Sequence, residues 1–377
     1  MAAVPLTHIG KLAVAQFMRR HWQRRPLLVL NALPGFATPL DARALFALAA
    51  RDDVESRLVT AFDGWRLEHG PIARRRIPPA RRQAWTLLVQ GVDQHDDRAA
   101  DLLGRFRFIP DARLDDLMIS FASEGGGVGP HIDDYDVFLL QGQGRRRWRI
   151  GQGNREDLVP GLPLKVLRRF KVEQEWILDP GDLLYLPPGV AHEGTAVDGP
   201  CTTCSIGFRA PAWRELTEPW LDHLSRVTRP AGRYGDRGAL PTHKPGQLPR
   251  TFIDAAFTAL ARRRPTRADA RDTLLVFLTE PKPNVVFDRP RVALSAAQLR
   301  AQARHAGLRL DRRSRMLYSG MSIALNGELH PSQANHRILM HALADQRSLA
   351  PAQLAGLDAA TWRALADWHA AGWLHCP

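Results

Sequence analysis

The chain has 377 residues, 45% of them hydrophobic and 24% charged, with a formal net charge of +13 at pH 7. This is the composition of a globular protein with a sizeable core and room for two or three domains, and it excludes collagenous and disordered classes. No run of about 18 apolar residues is present, so no segment reads as membrane-spanning.

Met1–Lys11 lacks the basic-then-apolar order of a secretory leader. Asp41–Ala50 reads as a helix, with Leu45, Phe46 and Leu48 spaced for one face. Arg74–Arg76 is a short basic run. From about residue 115 the pattern changes to short apolar or alternating runs at Leu117–Ala122, Asp136–Gln141, Arg145–Ile150, Trp176–Leu178 and Leu183–Leu186. Gly125–Gly127, Gly142–Gly144, Pro180–Gly181 and Pro187–Gly189 separate them, the spacing of a barrel or jelly roll. Cys201 and Cys204 form a lone C-x-x-C with no second pair, and with Cys376 they make no disulfide framework, which fits a reducing cytoplasm.

Ala212–Val227 turns helical. Thr228–Arg250, rich in Pro, Gly and Arg, reads as a loop or linker. Thr251–Arg263 is a further helix and ends in a second basic run, Arg262–Arg264. Asn326–Gly327 reads as a turn beside a short strand at Met321–Leu325. His336–Asp345 and Thr361–Trp373 are amphipathic helices. The positive charge is spread over distant arginines and is accounted for by solvated faces, so nucleic acid is not assigned as a partner.

The stretch most informative about chemistry is Gly125-Gly-Gly-Val-Gly-Pro-His131-Ile-Asp133. Residues two apart on a strand face the same way, so His131 and Asp133 can meet one cation. Pro180-Gly-Asp-Leu-Leu-Tyr-Leu-Pro-Pro-Gly189-Val-Ala-His192 offers a third ligand where a later strand ends in a turn. Two imidazoles and one carboxylate suit Fe(II) and leave coordination positions open. Alternation in Arg145–Ile150 puts Arg146 on one face with Trp148 and Ile150. An interior guanidinium needs an anion, and a planar fork fits a carboxylate, here the distal carboxylate of 2-oxoglutarate. Ser120 is positioned to donate to the same cosubstrate.

These motifs resemble the bacterial ribosomal oxygenases of the JmjC class in the cupin superfamily. The resembling segments include Asp115–Phe121, Gly125–Asp136, Val137–Gly142, Gly144–Trp148, Pro180–Gly194 and Ser205–Pro211. The chain departs from the family at Thr202-Thr203-Cys204. The resemblance implies an α+β fold in three parts: a double-stranded β-helix catalytic domain over 1–211, a helical dimerisation segment over 212–271, and a winged-helix-like domain over 272–377. It implies metal ligands His131, Asp133 and His192, with Arg146 and Ser120 holding 2-oxoglutarate, in a homodimer. The implied reaction is hydroxylation of an arginine side chain, at C-3, in a protein of the large ribosomal subunit. An arginine substrate calls for acidic groups at the entrance, and Glu124, Asp134 and Asp136 are the candidates. Two alternatives follow from the same residues: oxidation of a histidine or methyl-lysine on another protein, or a nucleic-acid-binding protein whose cupin is inactive.

Overall fold

The computed structural model describes residues 3–209, 211–227, 233–235, 237, 247–261, 265–331 and 336–377. The chain divides into two compact units. One comprises Met1–Ala210, Pro281–Ser314 and His341–Pro377; the other comprises Pro211–Glu280 and Arg315–Met340. Among the described residues no helix is long and apolar enough to cross a membrane.

The first unit opens with a hairpin, β1 (His8–Ile9) and β2 (Leu12–Ala13), and a helix, α1 (Val14–Arg20). Next come β3 (Leu27–Val29), α2 (Ala42–Ala49), β4 (Ser56–Thr60), β5 (Arg66–His69), β6 (Trp85–Val89) and α3 (Asp97–Gly104). The expected helix at 41–50 is α2, and it starts where it does because the Asp41 carboxylate accepts the Ala44 N–H at 2.8 Å. Arg74–Arg76 forms one exposed 3₁₀ turn.

A strand-rich stretch follows: β7 (Leu114–Ala122), β8 (His131–Ile132), β9 (Val137–Gln141), β10 (Arg145–Gly153), β11 (Phe170–Leu178), β12 (Leu183–Leu186), β13 (Ala191–Val197) and β14 (Cys201–Phe208). They build two sheets, ordered β3-β12-β9-β14-β7-β6-β4-β5 and β11-β10-β13-β8. Neighbours in both pair antiparallel, giving the expected jelly roll.

In the middle of the larger sheet both faces are buried, which is why β9 and β12 are near-continuous apolar runs and do not alternate. Phe138, Leu140, Leu183, Tyr185 and Ile206 on its outer face join a core with Phe17 of α1, Leu45 and Phe46 of α2, and Leu102 and Leu103 of α3. On the inner face Val137, Leu139, Leu184 and Leu186 meet Trp148, Ile150 and Leu178 from the smaller sheet. This second cluster is the dry lining of the barrel.

The second half of the chain begins with a 3₁₀ turn at Trp213–Leu216, followed by α4 (Thr217–Val227), α5 (Arg250–Leu260) and α6 (Arg267–Thr279). The expected linker 228–250 lies for the most part outside the described residues, and Arg262–Arg264 lies wholly outside them. Then come α7 (Ala296–Ala306), β15 (Leu308–Leu310), β16 (Met316–Ser319), β17 (Ser322–Leu325), β18 (Glu328–Pro331), α8 (Arg337–Gln346), β19 (Ser348–Leu349), α9 (Ala359–Ala370) and β20 (Leu374–His375). Within the second unit, His223 Nε2 of α4 lies 3.1 Å from Asp269 Oδ1 of α6. The strands β16-β17-β18 form an antiparallel sheet there. Asn326 and Gly327, with φ of 49° and 86°, make the expected turn between β17 and β18. In the first unit β19-β15-β20 form a small sheet, and α7 packs on α9.

Candidate metal centre

Strands β8 and β13 pair so that His131 lies directly opposite His192. Their rings are 4.2 Å apart, centre to centre. Asp133 follows β8 and returns to the same face, with Oδ2 3.7 Å from His192 Nε2 and 4.0 Å from His131 Nε2. One ligand atom from each of the three residues lies within 4.8 Å of the other two. The Pro-Pro-Gly turn that ends β12 is tied to this loop, since the Gly189 N–H donates to the Asp133 carbonyl at 3.0 Å. That bond joins the two motif halves, which are far apart in sequence.

Each imidazole is aimed by its own chain. His131 Nδ1 lies 2.9 Å from the Gly129 carbonyl, and His192 Nδ1 lies 3.0 Å from the Val190 carbonyl. A carbonyl oxygen only accepts, so both rings carry their proton on Nδ1 and turn the Nε2 lone pair inward. Burial, and then the neighbouring His131, push the His192 pKa down to about 4, against the pull of Asp133. The ring is therefore neutral near pH 7, as a ligand must be. Two imidazole nitrogens and one carboxylate oxygen converging on one point are a fitting donor set for a ferrous ion.

Arg146 sits inside the barrel with 5% of its surface exposed, as alternation along β10 requires. Its Nη1 donates to Ser120 Oγ at 3.1 Å and to Thr203 Oγ1 at 2.9 Å. The Nε–H is buried without a partner. Among the described residues its hydrogen-bond partners are hydroxyls and no carboxylate. A buried cation of this kind, with one edge unused, is shaped to receive an anionic ligand. Arg146 stands opposite Ala196 and Ile150 opposite His192, so the arginine and histidine positions are four residues apart along the strand, ~13 Å of backbone. Trp148 lies between, its ring 5.3 Å from the Arg146 guanidinium carbon and 6.1 Å from the His192 ring. It lies flat there because residue 194 is glycine: a Cβ at that position would sit 2.7 Å from the indole.

The candidate substrate residues fall in three different places. Asp134 is exposed at the mouth beside Asp133 and pairs with Arg155, whose Nη2 also donates to the Asp133 carbonyl at 3.1 Å. Glu124 is not brought to the triad. The Gly125 N–H next to it bonds the Ala196 carbonyl, at the level of Arg146, and the Glu124 carboxylate accepts from Gln83 at 3.2 Å. Asp136 is a correction. It is fully buried on the outer side of the sheet, accepting from Tyr185 at 2.6 Å, Gln23 at 2.9 Å and Arg113 at 3.0 Å, and it has no access to the entrance. The glycines at 126 and 127 also have a structural reason: a Cβ would come within 2.2 Å of the Trp85 carbonyl and 2.5 Å of the Gly194 carbonyl, respectively.

Sequence reasoning missed Thr203, Gln141, Tyr135 and Asp116. Thr203 stands in the stretch that departs from the family, and only the register of β14 between β7 and β9 shows that it faces Arg146. Asp116 lies on the same face of β7 as Ser120, four residues nearer the metal end. Burial, then the charges of Asp133 and Asp116, raise the Tyr135 hydroxyl above the ordinary phenol range. Cys201 and Cys204 are buried, and burial pushes both thiols up, Cys204 to about 12, so neither is a reactive thiolate.

Fold and site together define a JmjC-type member of the cupin superfamily. The model of the JmjC domain matches residues 101–216. The ribosomal protein uL16 3-hydroxylase of Escherichia coli is 40% identical over 234 residues, 62% of this chain and 62% of that one. A probable ribosomal oxygenase of Haemophilus influenzae is 37% identical over 211 residues, 54% of this chain and 51% of that one. The match thus spans less than two thirds of these curated relatives. The solved structure of the E. coli ribosomal oxygenase YcfD with cobalt and 2-oxoglutarate is 32% identical, with a TM-score of 0.82 over 98% of this chain and 99% of that one. The chain belongs to the JmjC ribosomal oxygenases.

Proposed function

We propose that the protein is an Fe(II)- and 2-oxoglutarate-dependent hydroxylase acting on an arginine side chain, at C-3, of a large-subunit ribosomal protein. The observation that carries this reading is a three-ligand centre and an anion-seeking arginine inside one barrel, with an apolar lining between them. His131, Asp133 and His192 hold the metal. Arg146 and Ser120 hold the distal carboxylate of the cosubstrate. Bound there, iron and 2-oxoglutarate supply the oxidising chemistry that places one oxygen atom of O2 on a substrate C–H bond. The protein's part is to aim both imidazoles and keep His192 neutral, to exclude water with Trp148, Ile150, Leu139 and Leu184, and to present a carboxylate at the mouth. Asp134 is such a carboxylate, exposed beside Asp133.

The remaining parts of the reading have their own supports. Segment 212–271 serves dimerisation: α5 exposes Phe252, Ile253, Phe257 and Leu260 at helical spacing, an apolar stripe suited to a second copy. Residues 272–377 supply the winged-helix-like part, for which α7, α9 and the sheet β19-β15-β20 are the helix-and-sheet elements. A ribosomal target places the protein in the cytoplasm.

The test is mass measurement of large-subunit ribosomal proteins from cells with and without the gene. One protein is expected to be lighter by one oxygen atom in the deletion, and to regain it when incubated with the purified protein, Fe(II) and 2-oxoglutarate. Identical masses in both strains, with no oxygen gained in vitro, would sink the proposal.

A further inference from the structure

Ser120 on β7 lies opposite Thr203 on β14, and Thr203 lies opposite Gln141 on β9. The three side chains form one polar row across the inner face of the larger sheet, each buried and facing Arg146 from the other sheet. The directions of the hydrogen bonds in this row follow from which groups can only accept and which can only donate.

At one end, Gln141 Nε2 lies 3.1 Å from both the Gln143 and Gly144 carbonyls. Those oxygens only accept, so the amide nitrogen is fixed there and Oε1 must face the other way. Oε1 lies 3.1 Å from Thr203 Oγ1. On its far side Thr203 Oγ1 meets Arg146 Nη1 at 2.9 Å, and a guanidinium only donates. The Thr203 proton therefore has one destination, Gln141. Ser120 differs: its oxygen accepts from Arg146 Nη1 at 3.1 Å, and no described group takes its proton.

We propose that Gln141 and Thr203 are a positioning relay that fixes the Arg146 fork, with Ser120 the only hydroxyl of the row that donates to the cosubstrate carboxylate. Anchored on the turn carbonyls of residues 143 and 144, the relay holds Nη1 and leaves the Nη2 hydrogens for the ligand, one of them on the Nη1 side where Ser120 can reach the same carboxylate. Thr203 never touches the cosubstrate; it acts through Arg146. The inference rests on the reading that Arg146 binds a dicarboxylate.

The test is calorimetric titration of 2-oxoglutarate into the full-length protein loaded with Mn(II), with Mn(II) affinity measured alongside. Thr203→Val, which keeps the shape and removes the hydroxyl, is expected to weaken 2-oxoglutarate about tenfold while leaving Mn(II) affinity unchanged. Thr203→Ser is expected to restore binding to within about twofold, since the relay needs only a hydroxyl. Ser120→Ala is expected to weaken binding in the same assay through a bond made directly to the ligand, and Ser120→Thr to recover it in part. Wild-type binding by Thr203→Val overturns the relay. So does weakening of Mn(II) and 2-oxoglutarate together, or failure of Thr203→Ser to rescue. If the wild-type protein itself takes no 2-oxoglutarate, what fails is the cosubstrate reading, and that outcome is distinct from the others.

Discussion

His131 and His192 are register partners on adjacent antiparallel strands, so the two nitrogen ligands are set side by side by sheet hydrogen bonding. Asp133 completes the centre from the loop that the Gly189 N–H holds. Changing His131 or Asp133, which are only partly buried, removes a donor without disturbing a core residue. His131→Ala is expected to lower Mn(II) or Co(II) affinity by at least about a hundredfold, with the thermal midpoint of the metal-free protein nearly unchanged. A competition titration against a chromophoric chelator reads this. Wild-type affinity in His131→Ala would remove that histidine from the site.

Arg146 predicts opposite signs for stability and binding. The residue is buried and, among the described residues, is met by two hydroxyls and no carboxylate, so the folded protein bears a desolvation cost for it. Arg146→Met is expected to leave metal-free stability unchanged or to raise it by about 1 kcal/mol. The same change is expected to weaken 2-oxoglutarate by at least about a hundredfold. Chemical denaturation and calorimetry test the two halves separately. A large loss of stability would mean that the guanidinium serves the fold.

Asp134 and Asp136 are two residues apart with different fates. Asp136→Asn is expected to destabilise by about 1–3 kcal/mol, because it breaks a pair with the partly exposed Arg113 and disturbs bonds from Tyr185 and Gln23. Its KM for substrate should stay as in the wild type. Asp134→Asn, at an exposed pair, is expected to change stability by less than about 0.5 kcal/mol and to raise KM. Equal stability losses in the two variants would contradict this assignment.

His95 gives the protein a pH dependence with a definite sign. Burial, and then the Arg51 charge, lower its pKa below the ordinary 6.5. Below that value the unfolded chain takes up a proton that the folded chain resists. Stability is therefore full above about pH 6.5 and declines as the pH falls from there toward the depressed folded value. His95→Gln is expected to flatten that slope between about pH 7 and pH 5 in denaturant melts. A slope unchanged from the wild type would assign the dependence to other groups.

Phe257 is 73% exposed on α5 and Leu260 is 69% exposed. Phe257→Glu is expected to convert a dimer to a monomer in sedimentation at micromolar concentration, with metal affinity retained. A wild-type monomer, or a dimer that survives the change, would rule out this face.

Much of the catalytic unit was legible because the sequence rules involved are local. Alternation put Arg146, Trp148 and Ile150 on one face, and the Pro-Pro-Gly turn before His192 announced a strand end. What stayed hidden depends on pairing between distant strands. Nothing local distinguishes Thr202 from Thr203 as the one facing Arg146; the register of β14 decides it. Asp136 was misread for a related reason. It sits three residues after Asp133, but it directly precedes β9, which turns it to the opposite face, toward Arg113. Glu124 looked close to the mouth because it precedes the glycine loop, yet that loop crosses at the Ala196 end of β13.

The two Nδ1–carbonyl bonds, from His131 to Gly129 and from His192 to Val190, each span two residues of their own strand or turn. Ring orientation is thereby supplied by the backbone in advance of any ion, and little rearrangement is left for the ion to drive. Stripping the metal with a chelator should therefore yield a folded protein whose amide spectrum matches that of the loaded one. Adding the metal back should refill the centre within the mixing time, with no slow refolding phase.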